Sequence, residues 1–275
     1  QEVSVDYQRT RGGVIVAFRV KENPLVRQVQ FMGNAEISRE ILQNLITTRT
    51  GNTLSFAAIR KDIDAIQNHY QEKGYLLARV IDVSNDLKTG TVKFSVVEGM
   101  IEQIGIQGND LTKDHVILRE MKTKIGNALN QKVLAKDIQR IFNLGFFEEV
   151  SPNFEPGTLQ GKIALVLRVK ERRTNSINFG GGYGEREGLF GFIDLSVDNL
   201  FGTGQGLLIR GQNGSNATSY QFRYSNPWVF PRTFGDRTGF TFRAWSTQGT
   251  EIYLATEQFQ DQQKNGYDFE FRKTP

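Results

Sequence analysis

Two rhythms of apolar residues divide this chain. Between residues 23 and 173 short alternating runs are interleaved with segments whose apolar residues recur at steps of three and four; from Ser176 onward only alternation remains. Alternation marks a strand with one apolar face, and steps of three and four mark a helix that buries one stripe. Six strands can be written in the second part. Ile177, Phe179 and Tyr183 share a face, as do Ile193, Leu195 and Val197, then Leu207 with Ile209, Tyr220 with Phe222 and Tyr224, Phe240 with Phe242 and Ala244, and Tyr267 with Phe269 and Phe271. Asp194, Arg210, Arg223, Arg243, Asp268 and Glu270 stand on the opposite faces. Charge on one face and aromatics on the other fit a barrel wall between water and lipid, and equally a half-buried soluble sheet.

The first part repeats itself at an offset of about 75 residues. Val29-Gln-Phe31-Met-Gly33-Asn34 matches Ile104-Gly-Ile106-Gln-Gly108-Asn109, Gly51-Asn52 matches Gly126-Asn127, and Lys61-Asp62-Ile63 matches Lys136-Asp137-Ile138. Each copy reads strand, helix, helix, strand, strand. Ser38 and Thr112 are the expected N-caps of the first helices. Ile59, Ile63, Ile66 and Tyr70 form the stripe of one second helix, and Leu134, Ile138 and Ile141 that of the other. Gly74 and Gly145 end these helices, and the returning strands are expected at 75–83 with 91–97 and at 146–154 with 162–169. A third copy of the closing strand, Val14 to Glu22, opens the chain with no upstream partner evident. Gln1 to Glu22 therefore reads as the tail of a preceding unit.

Composition narrows the function classes. The chain has 275 residues and no cysteine, which excludes disulfides, thiolate catalysis and cysteine-ligated metals. No apolar run is long enough for a membrane helix, a fact silent about strands that cross in about 9 to 11 residues. The net charge of +4 interleaves bases with acids and gives no nucleic-acid footprint. The 28 glycines and 20 phenylalanines gather toward the second half, as in curved sheets girdled by aromatics.

The repeat order, with Gly-Asn after the first strand and an Asp-Ile helix ending in Gly74-Tyr75 or Gly145-Phe146, resembles the polypeptide-transport-associated (POTRA) repeat of the BamA-like outer-membrane family. Gly182-Tyr-Gly184, Val197-Asp-Asn199-Leu-Phe-Gly202-Thr-Gly204 and Ser225-Asn-Pro227-Trp228 are similar in order and spacing to the start of that family's barrel. The resemblance implies α+β repeats (β-α-α-β-β) followed by the antiparallel N-terminal strands of a transmembrane β-barrel. The expected domains are a repeat remnant at 1–22, repeats at 23–98 and 99–173, and the barrel portion at 174–275. Six strands do not close a barrel, and neither the family's terminal aromatic strand nor its late loop motif has a counterpart before Pro275, so most of a barrel is expected to be missing.

The implied function is outer-membrane protein assembly or polypeptide translocation in the bacterial outer membrane or chloroplast outer envelope. No catalysis, cofactor or metal is involved. The implied partners are unfolded outer-membrane or secreted polypeptide clients, accessory assembly proteins and outer-membrane lipid, without nucleic acid. Alternatives are a two-partner-secretion transporter and a structural scaffold that binds partner proteins. Client chains would pair with a free sheet edge, for which Ala78, Val80 and Asp82 in one repeat and Glu149 and Ser151 in the other are the candidates. Arg168, Lys170, Arg172 and Arg173 form a basic cluster where the last repeat would meet the membrane, and Lys113, Arg119, Lys122 and Lys124 form a second patch.

Other motifs carry less. Gly180 to Gly184 and Gly202-Thr-Gly204-Gln-Gly206 lack the following helix that a phosphate loop needs, and read as tight turns or close strand packing. Asp194 with Asp198 and Glu185 with Glu187 are expected on the lumen or in turns. His69 and His115 sit in different repeats and found no triad or metal site.

Overall fold

The computed structural model describes residues 2–10, 12–21, 23–229, 238–253 and 258–273; Gln1, Glu22, Thr274 and Pro275 of the sequence reading lie outside them. The chain divides into two compact units. One comprises Gln1–Ile104, Lys122–Ala135 and Phe154–Leu165, the other Gly105–Met121, Lys136–Asn153 and Val166–Pro275, so the division runs through the second repeat.

The chain opens on a hairpin of β1 (Glu2–Thr10) and β2 (Gly13–Lys21). The repeat-closing strand thus does have an upstream partner, contrary to expectation: in β1 Val3, Val5 and Tyr7 alternate with Ser4, Asp6 and Gln8. Val5 stands opposite Phe18 and Tyr7 opposite Val16, on one exposed face.

In the first complete repeat β3 (Gln28–Met32) runs parallel to β5 (Thr91–Val97), and β4 (Arg79–Asp86) pairs antiparallel on the other side of β5. Helices α1 (Arg39–Leu45) and α2 (Phe56–Lys73) bury Leu42, Ile66 and Tyr70 in a core shared with Phe31, Val92, Phe94 and Val96. Ser38 and Ser55 cap their N-termini by accepting from the N–H groups of Ile41 and Ala58, and Gly74 ends α2 at φ 98°. The repeated Asp-Ile has a structural cause here. The buried Asp62 carboxylate accepts from the backbone N–H groups of Thr47 (2.6 Å) and Thr48 (3.0 Å), closing the loop between the helices.

Strand β4 starts later than expected. Residues 75–78 form a turn, with the Ala78 N–H donating to the Tyr75 carbonyl at 3.1 Å, and Ala78 is in the core. Gly33 explains the repeated Gly-Asn. Its φ is +79°, and a Cβ there would lie 2.1 Å from the Val96 carbonyl oxygen; Gly108, at φ +88°, stands 2.1 Å from that of Val169.

The second repeat comprises β6 (Met100–Gln107), α3 (Asp114–Leu118), α4 (Gln131–Phe142), β7 (Phe147–Pro156) and β8 (Lys162–Glu171), with sheet order β6-β8-β7. Lys113, not Thr112, occupies the N-cap of α3 and its side chain makes no capping bond. Thr112 is engaged elsewhere, as described below.

The last six strands follow one another in an antiparallel sheet: β9 (Asn175–Gly184), β10 (Gly188–Leu200), β11 (Gln205–Gly214), β12 (Ala217–Asn226), β13 (Thr238–Tyr253) and β14 (Gln258–Lys273). The register unites the expected faces. Leu195 opposes Ile177 and Ile209, Ile209 opposes Phe222, Phe222 opposes Ala244, and Phe242 opposes Phe269. Ile177, Phe179, Ile193, Tyr220, Tyr267 and Phe269 on this face are all exposed. Such an apolar expanse is far from what a soluble surface carries, and fits lipid. On the other face Asp194 pairs with Arg210 at 3.3 Å and Arg243 with Asp268 at 2.9 Å. Glycines there receive aromatic rings: a Cβ on Gly180 would meet Phe192 at 2.9 Å, and one on Gly266 would meet Trp245 at 2.4 Å.

Candidate functional site

Each three-stranded sheet has two edge strands, β3 and β4 in the first and β6 and β7 in the second, and the edges expected to receive a client are β4 and β7. Strands β4 and β7 each pair on one side only, with β5 and β8 respectively. They are not equivalent. Strand β7 carries Pro152 in its middle and ends at Pro156, and proline on an edge removes a backbone donor and blunts further pairing. Strand β4 has no proline; its irregularity is a register shift between Val80 and Asp82, which sets Ile81 as an extra, exposed residue.

The sequence-predicted edge residues distribute accordingly. Val80 and Asp82 lie on β4 at this bulge, whereas Ala78 precedes the strand and is 4% exposed, so it presents no edge. Glu149 and Ser151 lie on β7 beside Pro152, and the Ser151 hydroxyl reaches back toward the Arg168 carbonyl at 3.5 Å.

Successive repeats meet at a joint built on the C-terminal end of α2. The carbonyls of the last turn of a helix lack intrahelical donors and carry partial negative charge. Here the Gln131 N–H donates to the Gly74 carbonyl at 2.9 Å, the Asn130 side-chain amide to that of Lys73 at 3.1 Å, and the Lys132 ammonium to that of Glu72 at 2.6 Å. Asn130 also caps α4, accepting from the N–H groups of Lys132 and Val133. One helix therefore ends on the residue that starts the next.

A second joint lies within the unit that contains the six-stranded sheet. The β10–β11 turn docks on the loop before α3. The Lys113 N–H donates to the Gly202 carbonyl at 2.9 Å, the Asn199 amide to the Thr112 hydroxyl at 2.8 Å, and the Gly204 N–H to the Asn199 side-chain oxygen at 2.8 Å. Gly202 has φ +72°, and a Cβ there would sit 1.9 Å from the Leu111 carbonyl oxygen. From its other side the loop is held by Glu171, which accepts from the N–H groups of Leu111 (2.8 Å) and Thr112 (2.6 Å). Burial alone would raise the Glu171 carboxyl, but hydrogen bonds from Thr112 and from the backbone of Leu111, Thr112 and Asp110 outweigh it and hold the group below the usual range. Nearby, Trp228 donates its indole N–H to Glu120 at 2.8 Å, and the Arg119 guanidinium lies 5.3 Å from the indole ring centre. Burial disfavours the charged form of Arg119, and the adjacent Glu120 partly restores it.

The basic cluster separates into two pairs. Arg168 and Lys170 point outward from β8, and Lys170 is paired with Glu148 at 2.6 Å. Arg172 and Arg173 follow the strand and line a cavity of about 950 Å³ together with Lys113. Lys113 was expected in the other basic patch, where Arg119 is half-buried. Phe201, at the tip of the β10–β11 turn, lines the same cavity with φ 54° and an 82% exposed side chain. Neither its role nor the Arg119–Trp228 contact was foreseen, although the Asn199-to-Gly204 motif marks the turn. No group of three or more metal-binding side chains occurs among the described residues, and none of their helices is long and apolar enough to cross a membrane.

Comparison with known proteins bears on this arrangement. Residues 25–99 match the POTRA domain, ShlB-type, and residues 100–172 match the surface antigen variable number repeat, also a POTRA family. The chain is 30% identical over 237 residues to outer membrane protein assembly factor BamA of Neorickettsia risticii, covering 82% of this chain and 32% of that protein. It spans about a third of the length of such curated relatives. The N-terminal domain of Omp85 from Thermosynechococcus elongatus is 34% identical, with TM-score 0.57, over 63% of this chain and 77% of that one. BamA from Haemophilus ducreyi lacking POTRA domains 1-3 shares the fold over 90% of this chain and 47% of that one, at 21% identity and TM-score 0.56.

Proposed function

The chain belongs to the Omp85/BamA family of outer-membrane proteins with POTRA repeats, and on that premise we propose that it takes part in outer-membrane protein assembly by receiving extended client chains on the free edge of β4. The family is one of non-enzymatic transporters, and the reading involves no catalytic step. Its main support is the asymmetry of the two candidate edges: β4 has no proline, while β7 is interrupted by Pro152. Backbone pairing to β4 reads the client's extended form rather than its side chains, which suits a receptor for many barrel precursors. The bulge at Ile81 adds an exposed apolar residue against which a client side chain can rest.

The hairpin β1–β2 extends the proposal to domain organisation. Val16 and Phe18 align with Leu165 and Leu167 and with Val92 and Phe94, all four of which are fully buried in their repeats, yet Val16 and Phe18 are exposed. On this reading the β1–β2 hairpin is the remnant, at 1–22, of a further repeat, followed by domains at 23–98, 99–173 and 174–275. Accessory assembly proteins and outer-membrane lipid complete the proposed partners.

The test uses the whole chain in detergent and fluorescent peptides with the alternating pattern of a barrel strand. Scrambling residues within each face should leave binding unchanged, whereas N-methylation of alternate peptide amides should weaken it by about tenfold or more, as expected for loss of one or two hydrogen bonds. Tolerance of N-methylation would overturn edge pairing. Binding of a single sequence alone would point to a secretion transporter, and absence of peptide binding to a scaffold.

A further inference from the structure

We propose that the cavity lined by Lys113, Arg172 and Arg173 is a headgroup site for an anionic phospholipid, which rests on the membrane reading above and goes beyond it by naming a ligand and a place. The cavity, of about 950 Å³, is amphiphilic. Its cations make no ion pair within 4 Å among the described residues, in contrast to Lys170, which is satisfied by Glu148. Two carboxylates, Asp110 and Glu171, also line it, but Glu171 is already occupied by the N–H groups of Leu111 and Thr112.

The apolar part of the wall gives the ligand its second half. Val197 and Asn175 line the cavity and stand opposite each other in register, on the same sheet face as Ile177 and Leu195. The cavity thus opens toward the exposed apolar face that meets lipid, not toward the charged face. A ligand with a phosphate among the three cations and hydrocarbon running onto Val197 and Ile177 fits both halves; a free phosphate fits only one.

Phe201 supplies an independent observation. A bulky residue at positive φ is strained, and such strain persists only where surrounding bonds over-determine it. Those bonds are present: the N–H groups of Gly202 and Thr203 donate to the Asn199 and Leu200 carbonyls, and the Thr203 hydroxyl donates to the Leu200 carbonyl at 2.7 Å. The result is a phenyl ring held out from the turn at the cavity's rim, the position of an interfacial aromatic anchor.

Native mass spectrometry of the full chain, released from nanodiscs containing equal phosphatidylglycerol and phosphatidylcholine, reads the proposal directly. Phosphatidylglycerol should be retained over phosphatidylcholine by about 30- to 150-fold, the scale of two to three basic residues at an anionic surface. The triple variant Lys113→Glu/Arg172→Glu/Arg173→Glu should lose the preference, while Arg168→Glu/Lys170→Glu should keep it. Phe201→Asn, which relieves the backbone, should reduce retention without loss of fold by circular dichroism. Equal retention of the two lipids, or equal loss in both charge variants, would overturn the proposal. Displacement of the lipid by inorganic phosphate alone, or by an acidic peptide, would assign the cations to those ligands and overturn it too. Quenching of tryptophan fluorescence by brominated lipid reports insertion separately: quenching without lipid preference would leave the membrane reading standing and remove the site.

Discussion

The joint between the two repeats and the joint between the second repeat and the sheet solve the same problem with different chemistry. At the first, Gln131, Asn130 and Lys132 all donate to main-chain carbonyls at the end of α2. Every helix offers such carbonyls, so one partner is indifferent to sequence. At the second, side chains meet side chains: Asn199 with Thr112, Trp228 with Glu120, and Arg119 over the Trp228 ring. A stack of repeats needs a coupling that can recur, whereas the last repeat has to recognise one particular turn and strand end.

If this contrast is correct, the largest effect should come from Gly202→Val. Its Cβ would overlap the Leu111 carbonyl at a φ that β-branched residues avoid, and about 3 kcal/mol of docking energy should be lost. Hydrogen exchange in the 110–120 peptide of the detergent-solubilised chain should rise steeply while the 70–75 peptide stays protected. Trp228→Ala should cost about 2 kcal/mol, by removing an indole hydrogen bond and a cation–π contact. A double-mutant cycle with Arg119→Ala should return about 1 kcal/mol of coupling, and an additive result would show that the ring contact is incidental.

At the inter-repeat joint Asn130→Ala should cost about 1 kcal/mol, since it removes an N-cap and one of three bonds to α2. Lys132→Met should cost less, because the charge sits at the surface. Gln131, which donates through its backbone, should tolerate most substitutions except proline.

The smallest effect concerns pH. Glu171 is held below its ordinary value, so its contribution is present at neutral pH and is lost as pH falls through its depressed folded value. Acidification below about pH 4 should therefore loosen the loop of residues 110–113 in the native chain and not in Glu171→Gln, which should already be loose at pH 7. The inter-repeat joint uses no carboxylate in its three bonds and should not follow.

Much of this architecture was legible in the residues. The stripe of Ile59, Ile63, Ile66 and Tyr70 was enough to place α2, and alternation placed all six sheet strands on their correct faces, because burial on one side imposes a strict period. Misreadings arose where a residue's partner lies far along the chain. Thr112 has the right chemistry for an N-cap, but an asparagine 87 positions later claims its hydroxyl. Ala78 fits an alternating strand, yet the turn that follows α2 draws it into the core. Lys113 and Arg172 were assigned to separate patches because charge runs are read locally, while the cavity is assembled from four segments distant in sequence.

The close approach at Gly33 and Gly108 has a consequence for experiment and for descent. Each faces a carbonyl oxygen at a distance no side chain can share, and each is held at a backbone angle that penalises one. A library covering every substitution at every position should return, among its glycine-only columns, a pair about 75 positions apart at Gly33 and Gly108. The duplication behind this chain could then be recognised from survival counts alone, without aligning a single pair of residues.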